Sequence, residues 1–207
     1  QHSLIGVEGA GRLLHAVDRT LPVLVRVSRN DVADIGKLLD CGATGVVVPM
    51  IDTVEDAVRA SRACAYGPAG LRSFGPIRGD MPRDLAGLTG RVSCFAMIET
   101  AGGADHAAEI AAVPGIAGLY LGPADLAIGL GLEPGDWDAP RVQDAARTMV
   151  AACRAAGKRA AGHAASVAQA RHMMALGMDM VSMTSDKSLM AAAAAAGLAD
   201  LRRRPAR

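Results

Sequence analysis

Short apolar runs alternate with longer stretches of helical periodicity along almost the whole chain. Leu21 to Val27 (LPVLVRV), Gly45 to Pro49 (GVVVP), Ser93 to Ile98 (SCFAMI) and Ala117 to Leu121 (AGLYL) read as strands. A weaker fifth run covers Lys158 to Gly162, and a sixth covers Asp179 to Met183. Between them, helical patterns fall over Asp31 to Cys41, Thr53 to Ala63, Ala104 to Ala112, Ala139 to Ala156 and Ser166 to Leu176. A final Ala-rich helix follows from Asp186 to Leu201. Runs of four to six residues rich in Val, Ile and Leu, each followed by a helix, predict a parallel sheet covered by helices. Tyr66 to Arg83, rich in Gly, Pro and Arg, predicts an irregular connection.

Six strand–helix units fit an open doubly wound sheet or part of a barrel. The chain opens on Gln1-His2-Ser3 and an apparent helix, with no strand in front. A (β/α)8 barrel takes about 250 residues, roughly 40 more than are present, which matches two strands and one helix. The expected fold is therefore α/β: a single (β/α)8 TIM-barrel domain over residues 1–207 that lacks its first two strands and first helix. In such a fold the carboxyl ends of the strands form the active rim.

Two segments put carboxylates on that rim. Ala96-Met97-Ile98-Glu99-Thr100 ends one strand, and Leu121-Gly122-Pro123-Ala124-Asp125-Leu126 ends the next. Consecutive strands of such a fold lie side by side, so Glu99 and Asp125 converge as hard oxygen ligands for a divalent cation. Gly122 permits close backbone approach, Pro123 suits the first helical turn, and the free amides there suit a substrate carboxylate. Arg26 sits in an apolar strand, where it either pairs with a structural carboxylate or faces an anionic ligand. His163 follows the fifth strand and is a further candidate for the pocket wall. The stretch Tyr66 to Arg83 is expected to carry part of the substrate specificity, its Arg72, Arg78 and Arg83 either reading a second carboxylate or lying solvated.

Composition removes several alternatives. The 207 residues carry a net charge of +1, without the basic stripe of a nucleic-acid binder. Half are hydrophobic but only 2% aromatic, so Ala, Val, Leu and Met must fill the core. No apolar run reaches the ~18 residues of a membrane span, and no leader pattern is visible. The four scattered cysteines lack metal spacing and predict reduced thiols in a cytoplasmic protein. Of the three lysines only Lys187 falls near the active rim, at a solvated helix start, which argues against imine chemistry. Neither a phosphate-binding GxxxxGK[ST] loop nor a strand-linked GxGxxG is present.

An ordered series of segments makes the picture more specific. Val25-Arg26, Leu38-Leu39-Asp40-Cys41-Gly42, Val47-Val48-Pro49-Met50, Gly70-Leu71-Arg72, Ile98-Glu99-Thr100, Pro114-Gly115-Ile116-Ala117-Gly118 and Gly122-Pro123-Ala124-Asp125-Leu126 follow one another. Together with Gln1-His2 they resemble the HpcH/HpaI aldolase family, metal-dependent class II pyruvate aldolases related to the citrate lyase β-subunit. The resemblance implies a (β/α)8 barrel and an aldolase cleaving a 4-hydroxy-2-oxo acid to pyruvate and an aldehyde. It implies Mg2+ or Mn2+, with Co2+ or Zn2+ as alternatives, held by Glu99 and Asp125. It further implies His2 as general base, Asp40 as the acid that raises its basicity, and Arg26 as the stabiliser of developing negative charge. Gly122, Pro123 and the Ala124 amide would hold the substrate carboxylate. A homo-oligomer, trimer or hexamer, with the 186–201 helix exchanged between subunits, is also implied. Met97 departs from the family pattern, in which several members carry Gln. Competing readings are a citrate-lyase-type enzyme acting on a CoA thioester, and a catalytically silent barrel scaffold.

Overall fold

A computed structural model describes residues 4–17 and 20–203. Helix α1 (Val7–Ala16) leads into β1 (Leu24–Arg26), α2 (Val32–Asp40), β2 (Gly45–Val48) and α3 (Val54–Cys64). After a long connection come α4 (Leu85–Gly90), β3 (Ser93–Ile98), α5 (Ala101–Asp105), α6 (Ala107–Ala112) and β4 (Ile116–Leu121). The chain closes with α7 (Pro123–Gly129), α8 (Pro140–Ala155), β5 (Arg159–Ala164), α9 (Val167–Leu176), β6 (Met180–Met183) and α10 (Asp186–Arg202).

All six strands pair in parallel and in chain order, β1-β2-β3-β4-β5-β6. This is a six-stranded part-barrel of the TIM type, with every strand's carboxyl end on one rim. Polar residues fix where the helices start. The Asp31 side chain accepts from the amides of Ala33 and Asp34, and Thr53 and Asp56 form a reciprocal capping box. Thr100, directly after Glu99, caps α5 by accepting from the Gly103 amide, and its hydroxyl also donates to Asp52.

The strand alternation sorts side chains onto two faces. Val46, Val48, Cys94, Ala96, Ile98, Leu119 and Leu121 point outward into one large core beneath the helices. Ile98, Leu119 and Leu121 are completely buried there, and each such side chain contributes about 1.5–3 kcal/mol. The opposite, inner face holds a small cluster of Val47, Phe95, Met97 and Ala161, flanked by Leu24, Tyr120 and Met180. Toward the carboxyl rim of β1, β3, β5 and β6 that face carries Arg26, Glu99, His163 and Ser182.

The outline differs from the sequence expectation in places with local causes. The helix expected over 104–112 is two helices, broken at His106 (φ −98°, ψ 14°), whose Nδ1 lies 2.9 Å from the Gly102 carbonyl. The sequence pattern does not predict helix α4. It exists because Asp84 caps the Gly87 amide and Leu88 buries a single side chain. The Tyr66–Arg83 stretch follows a helix and precedes a strand, so it lies at the amino ends of the strands, away from the active rim.

Candidate active site

Glu99 follows β3 and is 1% exposed. Its Oε1 accepts a 2.8 Å hydrogen bond from the Met50 amide, at the end of β2. Met50 sits in the left-handed region (φ 54°), which an L-residue adopts at a cost, and that turn aims its N–H at the carboxylate. Ile98 pairs with Leu121, so extending the register by one residue sets Glu99 opposite Gly122. A Cβ on residue 122 would lie 3.0 Å from Glu99 Oε2, 2.9 Å from its Cβ and 2.7 Å from Met97 Cε. Only glycine leaves that room.

Gly122 is also the N-cap of α7, with Pro123 at its first position. The Gly122 amide donates to Ile98 O at 2.9 Å, tying the turn to the end of β3. The first intrahelical bond runs from the Leu126 amide to Gly122 O, so the Ala124 amide precedes the helical ladder. Asp125 falls in that first turn and is half-buried.

A cavity of about 640 Å³ opens over this turn, and Arg26, Met97, Tyr120, Gly122, Asp125 and His163 are among its walls. Of the alternatives for Arg26, the structure supports an inward-facing guanidinium. Among the described residues no carboxylate bridges it, and its charge acts on the Tyr120 phenol. Burial pushes that phenol's pKa up, while a hydrogen bond with Ser182 and the Arg26 charge oppose the shift.

The sequence-derived set is thus brought together in part. Arg26, Gly122, Pro123, Ala124 and Asp125 line one cavity, with Glu99 against Gly122 at its edge. His2 lies outside the described residues. Asp40 is at the carboxyl end of α2, which delivers the chain to the start of β2 and hence to the opposite rim. There its Oδ1 accepts from Arg72 at 2.6 Å, and the fully buried guanidinium stacks 4.6 Å above the Tyr66 ring. Arg78 donates to Asp80 and to the Leu14 carbonyl. Of the Tyr66–Arg83 stretch none lines the cavity. The specificity expected of it is corrected: Arg72 and Arg78 hold the amino-end packing instead.

The sequence pattern does not single out Tyr120 or Ser182. The available signal was the strand alternation, which carries each apolar inner residue to a rim residue two positions on, as Ala161 to His163 and Met180 to Ser182.

A divalent cation fits this donor set. Glu99 and Asp125 are hard oxygen donors, and the glycine between them leaves space that a Cβ would fill. Among the described residues no group of three or more His, Cys, Asp or Glu side chains gathers, so the protein would supply two carboxylates. Small cations of the magnesium type are often held that way, completed by water and substrate oxygens.

Comparison with known proteins gives the same direction. The family described as HpcH/HpaI aldolase/citrate lyase matches residues 5–193. A hydroxypyruvate/pyruvate aldolase of Rhizorhabdus wittichii is 38% identical over 207 aligned residues, covering 98% of this chain and 82% of the relative. A 4-hydroxy-2-oxo-heptane-1,7-dioate aldolase of Salmonella paratyphi A is 35% identical over 179 residues, covering 84% and 68%. Among solved structures, an HpcH/HpaI aldolase/citrate lyase family protein of Burkholderia cenocepacia superposes with a TM-score of 0.88 at 29% identity, over 98% of this chain and 83% of that one.

Proposed function

This chain belongs to the HpcH/HpaI aldolase/citrate lyase family, and on that premise we propose that it cleaves a 4-hydroxy-2-oxo acid to pyruvate and an aldehyde with the help of a divalent cation. That it is a carbon–carbon lyase of the aldolase kind follows from its relatives. The observation that carries the finer reading is the joining of Glu99 and Asp125 through Gly122 at one cavity that Arg26 enters.

Glu99 and Asp125 would hold the cation, Mg2+ or Mn2+, which when bound supplies positive charge for the 2-oxo oxygen. The chain's own groups do the rest. The Ala124 amide, ahead of the helical ladder, binds and orients the substrate carboxylate. The 4-hydroxyl gives up its proton, the C3–C4 bond breaks, and the aldehyde leaves while its electron pair passes to the three-carbon fragment. Arg26 places a fixed cation where that charge grows. Protonation at the methylene carbon then yields pyruvate. His2 is assigned the movement of the 4-hydroxyl proton, from the family resemblance.

The six strands are read as part of an eight-stranded barrel. Helix α10 buries none of its residues and exposes Leu189, Met190, Leu198 and Leu201. That supports packing against a second copy, as a trimer or hexamer. The cysteines, all free, support a reducing cytoplasmic setting. No helix among the described residues is long and apolar enough to cross a membrane.

Proton NMR of pyruvate in deuterated water tests the reading. Methyl exchange that needs Mg2+ or Mn2+, stops with chelator and is lost in Glu99→Ala is the expected result. Exchange that persists in that variant would overturn the assigned site. Absent exchange, with thermal stabilisation by CoA thioesters, would redirect the assignment to a thioester lyase.

A further inference from the structure

Beside the two carboxylates, the inner face of β4, β5 and β6 carries a hydrogen-bonded chain that the proposed cleavage does not use. Tyr120 Oη lies 2.5 Å from Ser182 Oγ, and Ser182 Oγ lies 3.0 Å from His163 Nδ1. The register explains how three strands meet. Tyr120 is opposite Ala161 and His163 is opposite Ser182. The small Ala161 side chain lets the Tyr120 ring reach across β5 to β6. Tyr120 and His163 both line the cavity that Gly122 and Asp125 share. Leu121 pairs with Gly162, so one residue further on Gly122 stands beside His163.

Each member of this chain can donate or accept. If Tyr120 donates to Ser182 and Ser182 to His163 Nδ1, the cavity meets an Nε2–H donor. If the order reverses, it meets an Nε2 acceptor and a freed phenolic O–H. A surface that offers both roles complements a hydroxyl, which itself needs both. A carboxylate wants donors alone, and a methyl group wants neither. Adjacent strands are about 4.8 Å apart, so the chain begins one strand-spacing from Gly122, within reach of an aldehyde of two or three carbons.

We propose that Tyr120, Ser182 and His163 form an aldehyde subsite that selects a short, hydroxyl-bearing aldehyde. This rests on the aldolase reading above. The test is the kcat/KM of aldol addition of pyruvate to three acceptors: glycolaldehyde, its near-isostere propanal, and glyoxylate. The wild-type protein should favour glycolaldehyde over propanal by about tenfold, the worth of one net hydrogen bond. Ser182→Ala breaks the chain at its centre, and Tyr120→Phe removes one hydroxyl while keeping the ring. Both should pull that ratio toward one, through KM for glycolaldehyde. Equal use of propanal by the wild type, or a ratio unmoved in both variants, would overturn the subsite. Preference for glyoxylate would also overturn it, making the wall a carboxylate site. Absence of pyruvate methyl exchange in the wild type would instead overturn the aldolase reading, and the subsite with it.

Discussion

Gly122 and Glu99 share one space: a Cβ on residue 122 would stand 3.0 Å from Glu99 Oε2 and 2.9 Å from Glu99 Cβ. The glycine is needed for room and not for its dihedral angles, since its φ is −102°. Gly122→Ala should therefore fold, because the backbone tolerates alanine, yet displace the carboxylate. A shift on the order of 1 Å at such a site costs about 10²-fold. The expected outcome is an unchanged far-UV spectrum with pyruvate exchange lowered by about two orders of magnitude. Full exchange in this variant would show that Glu99 is not held against the turn in the working enzyme.

Asp40 has a structural partner that the family resemblance does not imply. The structure pairs it with Arg72, whose side chain is 0% exposed, on the rim away from the cavity. Removing one partner of a buried ion pair costs about 3–5 kcal/mol because the other charge is left stranded. Asp40→Asn should lower Tm by roughly 6–20 °C, at about 2–4 °C per kcal/mol for a domain of this size. A variant with wild-type Tm and lost exchange would return Asp40 to the proton-transfer role that the family resemblance implies.

How far the sequence could be read depends on what each residue faces. Strands β2, β3 and β4 are legible because each is a short, nearly continuous apolar run, and β3 falls on Ser93–Ile98 as expected. Glu99 and Asp125 were legible because each interrupts an apolar run at a strand end. Arg26 was ambiguous, since a strand residue's face is set by register, which only the sheet supplies. Tyr120 and Ser182 looked ordinary because a tyrosine in a strand is a common core residue. Their meaning comes from Ala161, whose small side chain allows contact across β5. Specificity expected of Tyr66–Arg83 is not met at the cavity because a segment between a helix and the next strand belongs to the amino rim.

Asp179 clamps the two strands that carry His163 and Ser182. Its Oδ2 accepts from the Ala160 amide at 2.9 Å and its Oδ1 from Arg159 at 3.1 Å. The Ala160 hydrogen bond is the largest influence and holds its carboxyl below the usual range; burial, the next largest, opposes it, and the Arg159 and Arg154 guanidiniums add to the lowering. A lowered native pKa means the unfolded chain takes up the proton first as pH falls. The stabilisation is present above the unfolded value of about 3.9 and is lost as pH drops through the native value. The side chain is 38% exposed, so the effect is about 0.5–1 kcal/mol. Wild type should melt above Asp179→Asn at pH 7, with the gap closing below about pH 4. A gap that widens in acid would contradict the assignment.

Met50 shows strain placed where it positions the Glu99 carboxylate. Its φ of 54° is unfavourable for any residue with a Cβ, by about 1–2 kcal/mol. The side chain is 49% exposed, so packing does not force that conformation. What the turn achieves is the 2.8 Å bond from the Met50 amide to Glu99 Oε1, while the next amide, Ile51, reaches Met97 O at 3.3 Å. Glycine adopts this φ without penalty but loses chain entropy, which leaves a net gain of about 0.5 kcal/mol. Isoleucine, branched at Cβ, fits it worst and should cost about 1–2 kcal/mol. Melting temperatures should rank Met50→Gly at or above wild type and Met50→Ile below it. Pyruvate exchange should survive in the glycine variant and fall in the isoleucine one, because relaxing the turn there withdraws the amide from Glu99. If Met50→Ile melts and exchanges like the wild type, the left-handed turn is not what sets the carboxylate.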